Sequence, residues 1–341
     1  MIVASKLLSP EQLAIVRKRS DIKGVAQVVH AWGVIIGMMA LFVWLPNPIT
    51  FIAAVVVIGG RQLGLAILMH DAAHGVLCEN PKLNQFISQW FCAYPMMAET
   101  GAYRRYHLVH HAHTQQKEDP DLILSAPFPI TKKSFRRKMI RDITGQTGYQ
   151  QRKAQILNAL GKADWPLEQR LKNYWAKLGR ATVAQVAIFG ALALSGHWYL
   201  YFALWLLPFL TWQQLITRVR NIAEHAMVPD DNDDFRNARH TKANWLARAT
   251  IAPYWVNYHV EHHLMMWVPC YNLPKARAYL IANGFGSRME TQEGFGQVIA
   301  MATSKPDDED KRGTLVHNGR TRRVSGVMSE GFKASDDEAA A

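Results

Sequence analysis

Residues 26–45 (AQVVHAWGVIIGMMALFVWL) form an almost unbroken apolar run. About 20 helical residues cross a bilayer core of roughly 30 Å. Inside lipid a backbone satisfies its own N–H and C=O groups only as a helix or a closed barrel, so a run of this kind leaves a chain few folds. Pro46-Asn47-Pro48 ends it, and a second run, residues 49–69, follows at once. Residues 181–194 and 198–216 make a further pair, divided by Ser195-Gly196-His197. The first of that pair is short and spans only if its helix begins near Leu178. Residues 83–97 are apolar and aromatic but too short to span, and read as a re-entrant or interfacial helix. The expected fold is all-α: an integral membrane protein with about four transmembrane helices in two hairpins and a helical cap on the cytoplasmic side.

Lysine and arginine orient these spans. Lys6, Arg17, Lys18, Arg19 and Lys23 precede the first run, and Lys132, Lys133, Arg136, Arg137, Lys138 and Arg141 lie in the long polar stretch between the two hairpins. The hairpin turns carry none. The positive-inside rule then places the N-terminus, the central stretch and the C-terminal half in the cytoplasm. Arg61 and Gln62 interrupt the second run. A charge at mid-bilayer is costly, so Arg61 is expected either near the interface or facing the bundle interior.

The expected divisions are a cytoplasmic segment 1–24, a membrane-embedded region 25–285 with its cap, and a C-terminal segment 286–341, largely disordered from about residue 304, where charge and small residues replace apolar periodicity. The N-terminus lacks the early apolar core of a signal peptide. Cys78, Cys92 and Cys270 have no CxxC spacing, which speaks for reduced intracellular thiols rather than a disulfide framework. The net charge of +12 accompanies no nucleic-acid-binding pattern, so nucleic acid is not an expected partner and anionic lipid is.

Nine histidines then fall into four tight groups: His70-Asp71-Ala72-Ala73-His74, His107-Leu108-Val109-His110-His111, Asn221-Ile222-Ala223-Glu224-His225 and His259-Val260-Glu261-His262-His263. On a helix, positions i, i+3 and i+4 share a face, so each group is expected to point its imidazoles into one pocket. Nine are too many for one metal ion and suit two, each with an open position. Such nitrogen-rich ligation fits iron, copper or zinc better than magnesium or calcium. All four groups fall on the cytoplasmic side of the expected topology. A metal transporter would instead carry its ligands within the spans near the midplane.

With these groups placed, the chain resembles the integral-membrane fatty acid desaturase and hydroxylase family over roughly residues 25–285. HDAAH (70–74), HLVHH (107–111, followed by Asp119-Pro120-Asp121) and NYHVEHH (257–263, followed by VPCYNLP) look like its three histidine boxes. Asn221 and His225 resemble an NxxxH element that supplies one more ligand. The resemblance implies two iron ions on the cytoplasmic face, cycling between Fe2+ and Fe3+, with O2 as co-substrate. Their ligands would be His70, His74, His107, His110, His111, His225, His259, His262 and His263, with Asn221 acting through a water. The HxxxH spacing of the first box departs from the HxxxxH of acyl-CoA desaturases, so a lipid-linked fatty acyl chain is the expected substrate rather than acyl-CoA. The same scaffold used as a hydroxylase or ketolase, on a lipid, carotenoid or small amino-acid-like molecule, is the alternative. No haem-binding HPGG element is present, so electrons are expected from a separate ferredoxin or cytochrome b5 type donor with its reductase.

Aliphatic C–H bonds lie beyond acid–base chemistry by side chains, and a metal cofactor carries such oxidations. Asp71, Glu224 and Glu261, inside the boxes, are expected to accept ring N–H groups of the ligand histidines and so orient them. The remaining histidines read as bystanders: His30 and His197 are isolated, His113 is off the helical pattern, and His240 and His317 are expected in solvent. Asp119 and Asp121 read as a turn feature. The basic run 132–141 reads as a headgroup-facing surface or, alternatively, a dock for an acidic electron donor.

Overall fold

The computed structural model describes residues 3–306 and is mostly helical. The disorder expected beyond 306 and His317 lie outside the described residues. Among the described residues, three helical stretches are long and apolar enough to cross a membrane: Pro10–Trp44, Pro48–Ala73 and Leu167–Leu194. The apolar part of the first is α1 (Asp21–Trp44). Ser20 caps it, its side chain accepting from the Lys23 N–H at 3.3 Å, and Asp21 complements the helix dipole. Pro46 and Pro48 forbid continuation. Asn47 then opens α2 (Pro48–Ala73) through a capping box with Thr50, Pro48 occupying the position where a missing N–H costs nothing.

Along α1 the stripe Val28, Ala31, Ile35 and Met39 is buried, while Val29, Ile36 and Trp44 are exposed. A helix apolar on its outer face as well as its inner one is the pattern of a helix surrounded by lipid. α2 is the central element, buried almost continuously from Ile58 to Ala73. Arg61 faces the interior, the second of the two expected solutions. Its Nη2 donates to the Ala249 carbonyl at 2.7 Å, and its guanidinium lies 5.5 Å from the Tyr254 ring centroid. Gln62 donates to the Trp205 carbonyl at 2.7 Å. Both polar groups thereby stitch α2 to segments far away in sequence.

The polar stretch after α2 folds into α3 (Thr100–Ala112), α4 (Lys132–Ile143) and α5 (Gln146–Leu160). The third apolar run is the C-terminal part of one long helix, α6 (Leu167–Leu194), which answers the question of its length. The run 83–97 is a chain of short helical pieces, Pro81–Ile87, Ser88–Ala93 and Tyr94–Met96.

The fourth run, 198–216, differs from a simple span. It forms a wide π-type turn at Tyr201–Leu206 and a short helix Leu207–Leu210, breaks at Thr211 (φ −117°, ψ −87°), and resumes as α7 (Trp212–His225). Pro208 lacks an N–H and its ring clashes with the preceding turn, and a π-turn is a common companion of such a kink. Beyond α7 lie α8 (Trp245–Thr250), α9 (His259–Leu264) and α10 (Leu273–Ala282). Outside the helices, His240–Thr241 pairs in parallel with Thr291–Gln292. The three cysteines are free and buried.

Candidate metal centre

Four elements deliver the nine histidines. His70 lies in the last turn of α2 and His74 caps its end. His107, His110 and His111 occupy the C-terminal half of α3, whose start is capped by the Glu99 carboxylate on the Gly101 and Ala102 N–H groups. His225 is the final residue of α7, and His259, His262 and His263 make up half of α9. The chain enters α9 through two residues in the left-handed region, Tyr254 (φ 50°) and Trp255 (φ 57°). Strain of that kind persists only where the surroundings over-determine it. Here the Tyr254 hydroxyl donates to the Gln27 carbonyl, and Asn257 exchanges hydrogen bonds with Thr241.

All nine imidazoles are buried, and they form two clusters. His70, His74, His107, His111 and His262 make one, His110, His225, His259 and His263 the other, and within each the ligand-capable atoms lie within 4.8 Å of one another. The HxxHH boxes are therefore shared between two sites instead of each filling one pocket. The reason is helical phase. His107 and His111, four residues apart, overlap in projection, whereas His110 is turned about 60° from the first and about 100° from the second. The same offset sends His259 and His263 to one cluster and His262 to the other.

The nitrogens converge as ligands do. Nε2 of His111 is 3.0 Å from Nε2 of both His107 and His262, and Nε2 of His259 is 2.8 Å from that of His225 and 3.2 Å from that of His263. Nitrogens bound to one metal at about 2.1 Å stand roughly 3.0–3.4 Å apart. Hydrogen bonding alone leaves the first cluster unsatisfied: Nε2 of His70, both ring nitrogens of His74 and Nδ1 of His107 and His111 are buried without a partner. Buried polar atoms are rarely abandoned in this way, and a cation among the rings would take up Nε2 of His70 and one nitrogen of His74, though not Nδ1 of His107 and His111, whose Nε2 atoms face the cluster. The donor set fits first-row metal ions. Burial, then the neighbouring histidines, holds His107, His111, His259, His262 and His263 well below the usual histidine pKa, the neutral form in which imidazole ligates.

Several rings are held from behind. His225 Nδ1 lies 3.1 Å from the Asn237 carbonyl and His263 Nδ1 3.2 Å from the Thr114 hydroxyl. His110 Nδ1 lies 2.8 Å from Asp119 Oδ1. An acceptor at Nδ1 fixes the tautomer that leaves Nε2 available. Burial works against charge on His110, but the Asp119 hydrogen bond with the charges of Asp121 and Glu224 outweighs it, and its pKa is raised.

Asp119 is thus more than the turn feature that its DPD context suggests. It accepts the Gln115 and Asp121 N–H groups at 2.8 Å each, shaping the turn, while its Oδ1 steers a box histidine. The signal in the sequence was an acid nine residues after His110, a spacing with no helical rule to flag it.

The three carboxylates expected to orient ligands fare differently. Asp71 Oδ1 is 3.5 Å from His70 Nδ1 while Oδ2 accepts the Cys270 N–H at 2.9 Å. Glu224 Oε1 is 3.5 Å from His259 Nδ1 and accepts from Arg220 Nε at 2.6 Å. Burial pushes the Glu224 carboxyl up to about 7, against the pull of Arg220. Glu261 turns away from the box and pairs with His240 at 3.1 Å and with Arg277. Two residues beyond His259 on a helix is about 200° of rotation, the opposite face. His240, expected in solvent, is buried for this reason. His113 is exposed at the end of α3, and His30 bonds the Tyr254 hydroxyl at 3.0 Å.

Asn221, one turn before His225, lines a cavity of about 50 Å³ at the clusters, together with His107, His110, His225 and His259. Tyr103, Asp121, Arg220 and Glu224 complete much of its wall.

Comparison with known proteins gives two results. A family model described as fatty acid desaturase matches residues 42–287. A dihydrorhizobitoxine desaturase of Bradyrhizobium elkanii is 30% identical over 232 residues, which cover 66% of this chain and 66% of that protein, just under two thirds of its length.

Proposed function

This chain belongs to the fatty acid desaturase family, and from that premise we propose that it is a membrane enzyme which holds two iron ions and uses O2 and external electrons to place a double bond in a lipid-linked fatty acyl chain. The observation that supports this best is the division of two HxxHH boxes between two adjacent clusters of five and four histidines. His70, His74, His107, His111 and His262 would hold one iron, and His110, His225, His259 and His263 the other, with Asn221 beside the second. When bound, the irons supply the oxidising power, drawn from O2, that breaking an unactivated C–H bond requires.

The chain's own residues position and shield. Asn237, Thr114 and Asp119 keep three Nε2 atoms turned inward. Burial of every ligand excludes bulk water from the reacting region. The cavity beside Asn221 is where the carbons to be oxidised would be presented, and the register of the bound chain selects between removal of a second hydrogen and hydroxylation. Re-reduction is assigned to a separate ferredoxin or cytochrome b5 type protein with its reductase. The three thiols are free and buried, and burial pushes Cys78 up to about 11, which leaves it unsuited to redox traffic. In the membrane, α1–α2 and α6 with the kinked segment 198–216 would form two hairpins, with the clusters on the cytoplasmic side.

One observation favours a second reading of the substrate. Arg220, Glu224 and Asp121 in the cavity wall suit a small polar molecule better than bare hydrocarbon. Mass analysis of lipids and of polar extracts from cells with and without the protein separates the two. A new double bond in acyl chains supports the first reading. An oxidised small acid or amine with unchanged lipids replaces it with the second.

A further inference from the structure

The segment between α3, which bears the second box, and the apolar part of α6 has a charge and surface pattern that the metal centre does not use. Residues 132–180 carry thirteen Lys and Arg against three Asp and Glu, a net +10 of the chain's +12. Each of its three helices also leaves an apolar stripe exposed. On α4, Lys132, Arg136, Ile140 and Ile143 share one face and all are exposed. On α5 the exposed face is Tyr149, Lys153, Ile156 and Leu157. On α6 it is Leu167, Leu171 and Trp175.

These faces are not loose ends awaiting a core. Behind α4, Asp142 is fully buried and bonds Arg218 and the Thr147 hydroxyl. Gly148 of α5 sits so close to Leu210 that a Cβ would meet its carbonyl oxygen at 2.4 Å. Asn173 of α6 donates to the Ala159 carbonyl of α5 at 2.9 Å.

Length sets their level. The 28 residues of α6 span about 42 Å at 1.5 Å per residue, which matches a bilayer with its headgroups, about 40–45 Å. The apolar part of α6 begins after Arg180, so Lys177 and Arg180 mark the level at which the helix meets the headgroups, and the exposed Trp175 one turn earlier favours that boundary. The start of α6, and α5 bonded to it, then stand at headgroup depth.

We propose that the α4–α5 pair and the first turns of α6 form an interfacial platform that lies against an anionic lipid surface, its Ile, Leu and Trp side chains entering the acyl boundary and its Lys and Arg meeting headgroup phosphates. Charge complementarity and continuity with the α6 span favour lipid over an acidic protein, which would leave the aliphatic stripes in water. The platform rests on the membrane reading of α1, α2 and α6.

The full chain in nanodiscs tests it. A fluorophore on Leu157→Cys, with the native thiols buried, should be quenched by brominated lipid and shielded from aqueous iodide. Amide exchange of residues 132–160 should slow at least about fivefold when phosphatidylglycerol is added to phosphatidylcholine. High salt and the K132E/R136E/K153E variant should erase that slowing, while the variant keeps its metal content. Iodide quenching without bromolipid quenching, or protection seen only on adding an acidic ferredoxin, overturns the platform. A second probe on Ile36→Cys in α1 reads the span itself. Failure there, unlike failure at Leu157 alone, would overturn the membrane reading on which the platform depends.

Discussion

At the scale of single residues, the HxxHH motif acts as a splitter. Two histidines one turn apart serve one cluster, and the third, 60–100° around the helix, serves the next. His225 completes the cluster of four from α7. His225→Ala should therefore abolish activity and lower bound iron, whereas His113→Ala, at an exposed helix end, should leave iron near two per chain, as read by elemental analysis of purified protein. Equal losses would refute the assignment. Asp119→Asn leaves one acceptor oxygen where the carboxylate offers two, so it should loosen the turn held by the Gln115 and Asp121 N–H groups and weaken the hold on His110. Loss of a partner of this kind costs roughly 10–100-fold in metal affinity, measurable by chelator competition. Glu261→Gln acts elsewhere. It disturbs a buried pair with His240 and Arg277, so its effect should appear in thermal stability before it appears in iron affinity. Arg277→Met, which leaves His240 as the remaining partner of the buried carboxylate, should lower stability by at most about 3–5 kcal/mol.

Among elements, α2 carries the structural burden, and glycine makes its contacts possible. A Cβ at Gly60 would lie 2.9 Å from the Thr250 carbonyl oxygen, and one at Gly64 2.7 Å from the Tyr254 ring. Those approaches bring the segment leading into α9 against the helix that bears His70. Gly60→Val should cost about 1–3 kcal/mol by forcing backbone apart, and thermal unfolding should show it. A stability unchanged within about 0.5 kcal/mol would mean that the two segments separate easily. The kink at Thr211 does comparable work for α7. A straight helix through residues 198–225 would continue along the axis of the apolar run, whereas the break re-aims α7 so that His225 reaches His259.

For the whole molecule, the first cluster cross-links segments up to 192 positions apart, from His70 to His262, and the second joins His110 to His263. Binding confined to the folded state stabilises it by mass action. Chelation should therefore lower the melting temperature and accelerate amide exchange in α3, α7 and α9, with α1 less affected because it carries none of the nine histidines. Uniform exchange throughout would show that bound metal does not hold these helices together. The sequence by itself determined the helical class, the apolar stretches and the nine histidines, because run length and helical spacing are local properties. It also implied the burial problem of Arg61, though not which of two solutions was taken. Only the tertiary structure decided the division of the boxes between two clusters, the break in the fourth run, the turn of Glu261 toward His240, and the recruitment of Asp119. Each depends on what stands opposite a side chain in space. A helical period fixes the angle at which a residue leaves its own axis, and the partner it meets there is supplied by a segment that may be a hundred or more residues away.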